Sequence, residues 1–441
     1  MHLSIIFRDL RLLNSDGRIL FGTRGLRLLA YGFLSVVLVI YLAQIGLSET
    51  QIGLLLTLTL IGDTVISLWI TTKADRLGRR RMLVLGSILM IFAGVLFAVT
   101  RDFIFLLIAA TIGVISPSGN EVGPFLSIEQ AALSQIVSNE QRTQIFAWYN
   151  LAGSFATALG ALIGGTLVQA GQRMGLTPIV SYRVIVMSYA LMGLILALLF
   201  TLLSSKVELP KATLPPSPQS QTGKRLGLHR SQRVIFKLSA LFSLDAFAGG
   251  FVLQSIVAYW FHVRFNVEPA LLGSIFFGAK GLAGLSALSA AWVASKIGLI
   301  RTMVFTHIPS NVLLILVPLM PNLPLAILML LLRFSISQMD VPTRQSYTMA
   351  VVSPDERSAA AGITGIARTT GASLAPVVTG PLLAQAALLN VPFFLSGGLK
   401  IIYDLLLYRS FRGLKPPEEE DHSDPGKSDP MNPGQQNGPT P

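Results

Sequence analysis

Cysteine is absent from this sequence of 441 residues, which excludes a disulfide framework, a thiolate metal site and a cysteine nucleophile. Charged residues are also scarce, at 13% of the chain, whereas soluble domains carry about 25%. In their place the chain has 52% hydrophobic residues and a mean hydropathy of +0.63. These values are typical of a protein that lies in a membrane.

The five histidines are scattered without the spacing of metal ligands, and no nucleophile motif occurs in the sequence. We therefore expect neither an enzyme nor a bound metal or organic cofactor. The formal net charge of +12 does not indicate a nucleic-acid partner, because the lysines and arginines cluster in short breaks between apolar runs. That arrangement is typical of the cytoplasmic loops of a membrane protein.

Twelve apolar runs approach the roughly 20 residues that a helix needs to cross a hydrocarbon core of about 30 Å. They occupy residues 28–47, 52–72, 82–99, 103–137, 145–167, 184–203, 235–261, 271–294, 303–320, 323–352, 361–384 and 392–408. The sequence therefore predicts an all-α membrane protein with twelve transmembrane helices.

Polar segments divide the chain into five parts. These are a cytoplasmic N-terminal lead-in at 1–27, a six-helix bundle at 28–203, a cytoplasmic linker at 204–234, a second six-helix bundle at 235–411 and a disordered cytoplasmic tail at 412–441. The break after the second run carries Lys73, Arg76, Arg79, Arg80 and Arg81, and short basic loops face the cytoplasm. We expect a multi-pass monomer in the inner (plasma) membrane, with both termini in the cytoplasm.

The second half of the chain repeats the first. An offset of 220 residues places Ala-Asp-Arg-Leu-Gly at 74–78 on Ala-Ser-Lys-Ile-Gly at 294–298, and an offset of 215 places Glu-Gln-Arg at 140–142 on Asp-Glu-Arg at 355–357. The extra residues of the first half fall within 116–124, where two prolines and two glycines predict that helix 4 is broken. Parallel six-helix repeats are the architecture of one large transporter class, which binds substrate between its halves.

The loop after the second run resembles a motif of the major facilitator superfamily, Gly-x-Leu-Ala-Asp-Arg-x-Gly-Arg-Arg. Residues 71–80 read Thr-Thr-Lys-Ala-Asp-Arg-Leu-Gly-Arg-Arg, so the leading glycine is Thr71 and the third position is Lys73. The resemblance covers about residues 28 to 412 and implies two pseudo-symmetric six-helix bundles. It further implies that a small solute crosses by alternating access, through a cavity lined by helices 1, 4, 7 and 10.

The resemblance also implies that this loop and its related corners close the cytoplasmic side. The residues concerned are Asp75, Arg76, Gly78, Arg79, Arg142 and Arg357. Asp75 is implied to face the positive N-terminal end of helix 11. For the arginines at 79–81, the alternative is that they only anchor the helix at the lipid headgroups.

A second motif of the family, Gly-x-x-x-Gly-Pro-x-x-Gly-Gly in helix 5, is associated with exporters that exchange substrate for protons. Its elements are divided here between helix 5, which lacks the proline, and helix 11. They are Gly160, Gly164, Gly165, Gly371, Pro376 and Gly380. The resemblance favours export, and ordinary packing of small residues is the alternative.

Ionisable residues inside a span are functional candidates, because a charge at the bilayer centre costs at least about 2.5 kcal/mol. The candidates for the cavity and for coupling are Asn120, Glu121, Glu129, Asp245, Arg333, Asp340 and Arg344. Asn120 and Glu121 are the leading substrate or proton contacts, because a broken helix is tolerated only beside a cavity. The alternative is a kink or an outer loop without a substrate role. Asp245, Asp340 and Glu121 are the candidate proton carriers.

Two ion pairs between the halves are expected. Glu129 and Arg344 occupy equivalent repeat positions and are predicted to bridge the halves when the cytoplasmic side closes, unless each is neutralised within its own half. Asp63 and Arg368 are predicted to face each other between helices 2 and 11. Lys280 either reaches the cavity or extends towards the outer surface.

Together these inferences predict a secondary active transporter whose partners are a small solute and the lipid bilayer, with the proton as coupling ion. An importer or uniporter of a polar, anionic metabolite is the alternative, with Arg333, Arg344 and Lys280 as the groups that would bind the anion. A membrane sensor that keeps the carrier fold but moves nothing is a further alternative.

Overall fold

The computed structural model describes residues 14–137, 139–208, 231–353 and 356–413. We number its helices by the predicted spans, with the letters a and b for the parts of a broken one. Those of the first half are α1 (Ser15–Gln44), α2 (Glu49–Leu77), α3 (Arg79–Val99), α4a (Phe103–Ile112), α4b (Phe125–Ile136), α5 (Asn139–Arg173) and α6 (Pro178–Thr201).

The second half repeats this order. Its helices are α7a (Gln232–Gly250), α7b (Gln254–Phe265), α8 (Pro269–Ile297), α9 (Leu299–Leu316), α10a (Leu323–Ile336), α10b (Asp340–Ala350), α11 (Arg357–Leu383) and α12 (Val391–Phe411). A helix, whole or broken, thus lies at each of the twelve predicted spans, and the predicted all-α fold is confirmed.

Ten spans in the described part of the chain are long and apolar enough to cross a membrane, with α7a and α7b counted as one and α10a and α10b as another. The other two predicted spans, helices 4 and 11, do not reach this length or hydropathy. Helix 4 is divided, which leaves α4a with 10 residues. Helix α11 is rich in small residues and threonines and carries Arg368, which lowers its hydropathy.

The duplicated loop makes the same turn in both halves. Gly78 follows α2 with a φ of 103°, and Gly298 follows α8 with a φ of 87°. Glycine adopts such positive φ values without the steric penalty that a Cβ brings. In each half the next helix begins at the following residue, so this one glycine forms the whole connection.

Helix 4 is broken where the offset of the repeat changes. The segment 113–124 between α4a and α4b is not helical, and Gly119 and Gly123 within it have φ values of 66° and 81°. The Ser116 hydroxyl donates to the carbonyl of Asn120 at 2.7 Å and tightens this segment. The interruption of helix 10 covers only residues 337–339. The extra residues of the first half therefore form a loop in the middle of a span.

The two halves meet along α2 with α11 and along α5 with α8. Where α2 begins and α5 ends, a Cβ on Gly53 would lie 2.4 Å from the α11 backbone, and one on Gly165 would lie 2.1 Å from that of α8. Farther along the same helices, a Cβ on Gly281 or Gly365 would meet no atom within 4 Å. We call the end of these helices that contains Gly53 and Gly165 the closed end. We call the opposite end, which carries the duplicated turns, the open end.

Candidate functional site

A cavity of about 720 Å³ lies between the halves. Small-molecule sites commonly have volumes of about 300–1,000 Å³. The charged residues that line this cavity are Arg24, Asp63, Glu121, Asp245, Lys280, Arg333, Arg368 and Lys400.

The sequence candidates divide between the cavity wall and the layer behind it. Asn120, Glu121, Asp245 and Arg333 line the cavity. The other three candidates are buried and lie behind its walls, and these are Glu129, Asp340 and Arg344.

Behind the first-half wall, two arginines of α1 bind two glutamates of helix 4. Arg27 donates to both oxygens of Glu129 at 2.8 and 2.7 Å and to Glu121 at 2.9 Å. Arg24 binds the other oxygen of Glu121 at 2.9 Å. Tyr149 of α5 also donates to Glu129. This first-half cluster joins α1, helix 4 and α5, and its charges balance.

Arg24 and Arg27 correct the predicted lead-in at residues 1–27. The helix α1 begins at Ser15, and the two arginines lie within it with exposures of 5% and 0%. A span predicted from hydropathy ends at an arginine, because hydropathy does not include the carboxylates that neutralise the arginine in the folded protein. One signal was available, since residues three apart on a helix share a face and Glu121 of helix 4 had no predicted cationic partner.

In the second-half wall, Asp245 of α7a lies between two cations. Lys400 of α12 binds it at 2.5 Å and Arg344 of α10b at 3.2 Å. Arg344 also binds Asp340, one helical turn before it, at 3.0 Å. This second-half cluster, formed by Asp245, Asp340, Arg344 and Lys400, joins α7a, α10b and α12. Lys400, which is not among the candidates predicted for the cavity, reaches it.

Glu129 and Arg344 do not bridge the halves in this structure. Glu129 is bound by Arg27, and Arg344 is bound by Asp245 and Asp340, so each is neutralised within its own half. The alternative of separate pairs therefore describes this state, in which the halves stand apart at the open end.

Three cations of the second-half wall are in no ion pair within the described part of the chain. The Lys280 ammonium donates to Asn120 Oδ1 across the cavity at 2.9 Å, so it reaches the cavity rather than the outer surface. The Nε atoms of Arg333 and Arg368 are buried and have no hydrogen-bond acceptor. The Arg333 guanidinium lies 5.0 Å from the centre of the Phe334 ring.

Asp63 does not form the predicted ion pair with Arg368 in this state, although both line the cavity. It accepts a hydrogen bond from the backbone N–H of Gly123 at 2.6 Å and one from Ser67 at 3.3 Å. The loop in helix 4 supplies the first donor. A prediction from side-chain charge could not include this backbone group, because the loop has no counterpart in the second half.

The loop between α2 and α3 makes its contacts within the first half in this state. Asp75 pairs with Arg79 at 2.8 Å and not with the end of α11. Glu208, at the start of the linker, accepts hydrogen bonds from the backbone N–H groups of Arg79 and Arg80 at 2.7 and 3.1 Å. Glu208 therefore caps the N-terminus of α3, where a carboxylate is stabilising. No motif in the sequence predicts this role of Glu208.

The other latch candidates lie near the open end. Arg76 is exposed in the last turn of α2. Arg357 donates to the carbonyl of Met349 at 3.1 Å, near the end of α10b. The side chain of Arg142 lies outside the described part of the structure.

The glycines of the second motif lie at helix contacts. A Cβ at each would press on the backbone of a neighbour: α1 for Gly160 and Gly164, α8 for Gly165, α7a for Gly371 and α2 for Gly380. The carbonyl of Pro376 is the α11 atom closest to a Cβ on Gly53. These are the contacts expected if the small residues of the motif only pack helices together. The contacts of Gly165 and Gly380 join the two halves.

Polar contacts reinforce the closed end. Tyr259 of α7b donates to Glu49 at the start of α2 at 2.8 Å. Gln169, near the end of α5, donates to Glu268, which precedes α8. Both hydrogen bonds join one half to the other.

Comparison with known proteins identifies the family. The family model of the Major Facilitator Superfamily matches residues 20–376. Over 434 residues the chain is 32% identical to an uncharacterized membrane protein of Saccharomyces cerevisiae, a match that covers 93% of this chain and 97% of that relative.

Two further similarities cover different lengths. The chain is 27% identical over 146 residues to the quinolone resistance protein NorA of Staphylococcus aureus, which is 33% of this chain and 36% of NorA. The crystal structure of the nucleoside transporter NupG superposes with a TM-score of 0.69 at 15% identity, covering 90% of this chain and 100% of that one. At this identity the likeness to NupG shows the fold alone.

Proposed function

Since this chain belongs to the Major Facilitator Superfamily, it is a membrane transporter and not an enzyme, and we propose that it exports a small organic solute by proton-coupled alternating access. The observation that carries the proposal is the cavity between the halves, closed at one end and open at the other. A solute that enters from the open end lies between the two bodies whose rocking exposes it to the far side.

Alternating access requires the same helix pairs to exchange their open and closed ends. At the closed end, α2 and α5 touch the other half through Gly53 and Gly165, whereas Gly281 and Gly365 have free space beside them. A rotation of one rigid half against the other fills that space and separates the glycine contacts. The hydrogen bonds of the closed end break in the same step.

The cavity is open on the side from which an exporter takes up its solute. The open end carries the duplicated turns with their basic residues, and the positive-inside rule assigns such loops to the cytoplasm. A solute can therefore bind from the cytoplasm in this state. Export itself is supported by the local similarity to NorA, whose name records quinolone resistance.

Asp63 is the group that we propose for proton coupling. Three carboxylates line the cavity, of which Glu121 and Asp245 each bind two cations. Asp63 binds neutral donors instead. The charges of Glu121 and Asp245 hold helices together through these ion pairs, whereas Asp63 is in no ion pair within the described part of the chain. Asp63 can therefore gain or lose a proton without breaking an ion pair.

The surroundings of Asp63 contain few other ionisable groups. They are Glu121 in the loop of helix 4, Tyr31 of α1, Tyr189 of α6 and, across the cavity, Arg368 of α11. The hydrogen bond from Gly123 links the carboxylate to this loop. Protonation removes one acceptor lone pair and weakens that link, which connects the proton to the position of helix 4.

A single cysteine in the cavity tests the alternation, because the chain has none of its own. Thr369→Cys lies in the cavity wall on α11. In intact cells a membrane-impermeant maleimide should label it only when the closed end opens. Adding Gly53→Ala places a methyl group against the α11 backbone. We expect labelling to become about fivefold faster or more, because overpacking costs about 1–3 kcal/mol.

Gly398→Ala is the matched control, because its methyl group meets no atom within 4 Å and its helix, α12, packs on helices of its own half. It should leave the labelling rate unchanged. Equal labelling of the Gly53→Ala and Gly398→Ala proteins would contradict the proposed alternation.

The same cysteine tests the coupling. Thiol ionisation makes maleimide labelling itself pH-dependent, so each rate is divided by that of Met174→Cys, which is exposed and lies outside the cavity. The corrected rate of the parent should depend on external pH, and Asp63→Asn should abolish that dependence. Asp340→Asn, behind the second-half wall, should retain it. An Asp63→Asn protein with the pH dependence of its parent would exclude Asp63 as the proton carrier.

A further inference from the structure

We propose that Lys280, Arg333 and Arg368 form an oxyanion-binding site and that the solute carried is an organic anion with a carboxylate or phosphate group. This inference deepens the proposed function and rests on it. The three side chains come from α8, α10a and α11, and all of them line the cavity on its second-half side.

The three cations differ from the other cations of the cavity wall. Arg24 binds Glu121, and Lys400 binds Asp245, so their charges are balanced within the protein. Lys280, Arg333 and Arg368 are in no ion pair in the described part of the chain. Five cations and three carboxylates line the cavity, so the surplus positive charge lies on one wall.

A structural role does not explain these side chains. A charge that serves only to hold helices together is paired, as in both clusters behind the walls. Lys280 does not extend to the outer surface, since its ammonium contacts Asn120 in the cavity. The buried Nε atoms of Arg333 and Arg368 have no acceptor. Unpaired intramembrane charge is costly, and a site for a charged ligand is the function that retains it.

The donor set fits an oxyanion. Two guanidinium groups offer planar forks that match a carboxylate or a phosphate, and an ammonium adds a third cation. The carboxylates of the cavity do not compete for them, because Glu121 and Asp245 are bound by other cations and Asp63 by neutral donors. A cationic solute would have to approach three uncompensated positive charges.

The contact between Lys280 and Asn120 connects binding to movement. It joins α8 of the second half to the loop of helix 4 in the first half, at 2.9 Å. An oxyanion bound to Lys280 competes with the Asn120 carbonyl oxygen. Occupancy then weakens a contact between the halves, so the ligand has a different affinity for the two conformations.

The sign of the cavity potential can be measured without knowledge of the solute. Thr369→Cys is treated with anionic 2-sulfonatoethyl and with cationic 2-trimethylammonioethyl methanethiosulfonate. Each rate is divided by that of Met174→Cys, which is 78% exposed in the loop after α5 and lies outside the cavity. We expect the corrected ratio to favour the anionic reagent. Removing one cation with Arg333→Gln should lower the ratio about fivefold, by Coulomb's law at about 8 Å in water.

A preference for the cationic reagent, or a ratio that Arg333→Gln and Lys280→Gln leave unchanged, would overturn the proposal. This measurement does not require transport. A carrier of neutral or cationic solutes would still show the alternation in maleimide labelling but would fail here, so failure of this inference is distinguishable from failure of the proposed function.

Thermal unfolding of the purified full-length protein tests binding. We would add citrate, 2-oxoglutarate or glucose 6-phosphate, with glucose and tetraphenylphosphonium as neutral and cationic comparisons. Ligand binding raises the apparent stability. At least one oxyanion should raise Tm, and Arg333→Gln and Arg368→Gln should each abolish the rise.

Arg301→Gln is the matched control, because Arg301 is an exposed arginine near the start of α9, outside the cavity. It should keep the response to the oxyanion. A Tm that no oxyanion raises, or one raised by tetraphenylphosphonium instead, would contradict the proposal.

Discussion

The two walls of the cavity come from one duplicated sequence, yet the charged side chains of the two walls are paired differently. On the first-half side, Arg24 and Arg27 bind Glu121 and Glu129, and the cluster they form is closed on itself. On the second-half side, the paired cluster around Asp245 is accompanied by Lys280, Arg333 and Arg368, which have no carboxylate partner among the described residues. One wall uses its charges to hold helices together, whereas the other presents them to the cavity.

The loop in helix 4 accounts for part of this difference. It brings Glu121 towards the two arginines of α1, and it brings Gly123 to Asp63. The second half has only a short interruption at this place, and no glutamate enters its wall there. The two walls thus differ at the place where one half has a loop of a few residues that the other half lacks.

Breaking the first-half cluster should have the largest effect. Glu129→Ala removes two hydrogen bonds from Arg27, which has no exposed surface. We expect a loss of about 3–5 kcal/mol of unfolding free energy, because the buried Arg27 keeps only Glu121, which it shares with Arg24, and Tyr149 loses its acceptor. Thermal unfolding in detergent measures the loss. The double variant Arg27→Met with Glu129→Leu should recover most of it, and a parental Tm in the single variant would refute the structural role.

The corresponding change in the second-half cluster should have a smaller effect. Asp340→Ala deprives Arg344 of one partner but leaves Asp245 in place at 3.2 Å. We expect a loss of about 1.5–3 kcal/mol, the contribution of a hydrogen bond to a charged group. The same unfolding assay applies. A loss equal to that of Glu129→Ala would mean that Asp245 does not compensate.

Removing a cation from the binding wall should have the smallest effect on stability. Arg333→Gln breaks no ion pair in the described structure, so its unfolding free energy should stay within about 0.5 kcal/mol of the parent or rise. Arg333→Gln should instead reduce the response of the protein to oxyanions. A destabilisation as large as that of Glu129→Ala would show that Arg333 belongs to a structural cluster.

Much of the fold could be predicted from the sequence. Length, hydropathy and the repeat indicate two bundles, and the change of offset near Pro117 places the break in helix 4. These features depend on local sequence, in which composition and glycine or proline have direct consequences. The first span is the exception, because its arginines are stable in the membrane only through partners about a hundred residues away.

The ion pairs and hydrogen bonds of the site residues were harder to predict than the fold. Glu129 and Arg344 have equivalent positions in the repeat, but each has a nearer partner in its own half. Asp63 binds a backbone group that exists only because helix 4 is broken. Contacts across the open end also depend on the conformation, and in this state Asp75 binds Arg79 of its own half.

The most direct test of alternating access is a pair of distances measured between spin labels in liposomes, which the absence of native cysteine permits. One pair, Thr72→Cys with Gly362→Cys, reports on exposed positions of α2 and α11 at the open end. The other, Met174→Cys with Leu271→Cys, reports on the closed end. On acidification or on addition of an oxyanion that raises Tm, we expect one distance to shorten while the other lengthens. Two distances that change in the same direction, or that never change, would contradict the account.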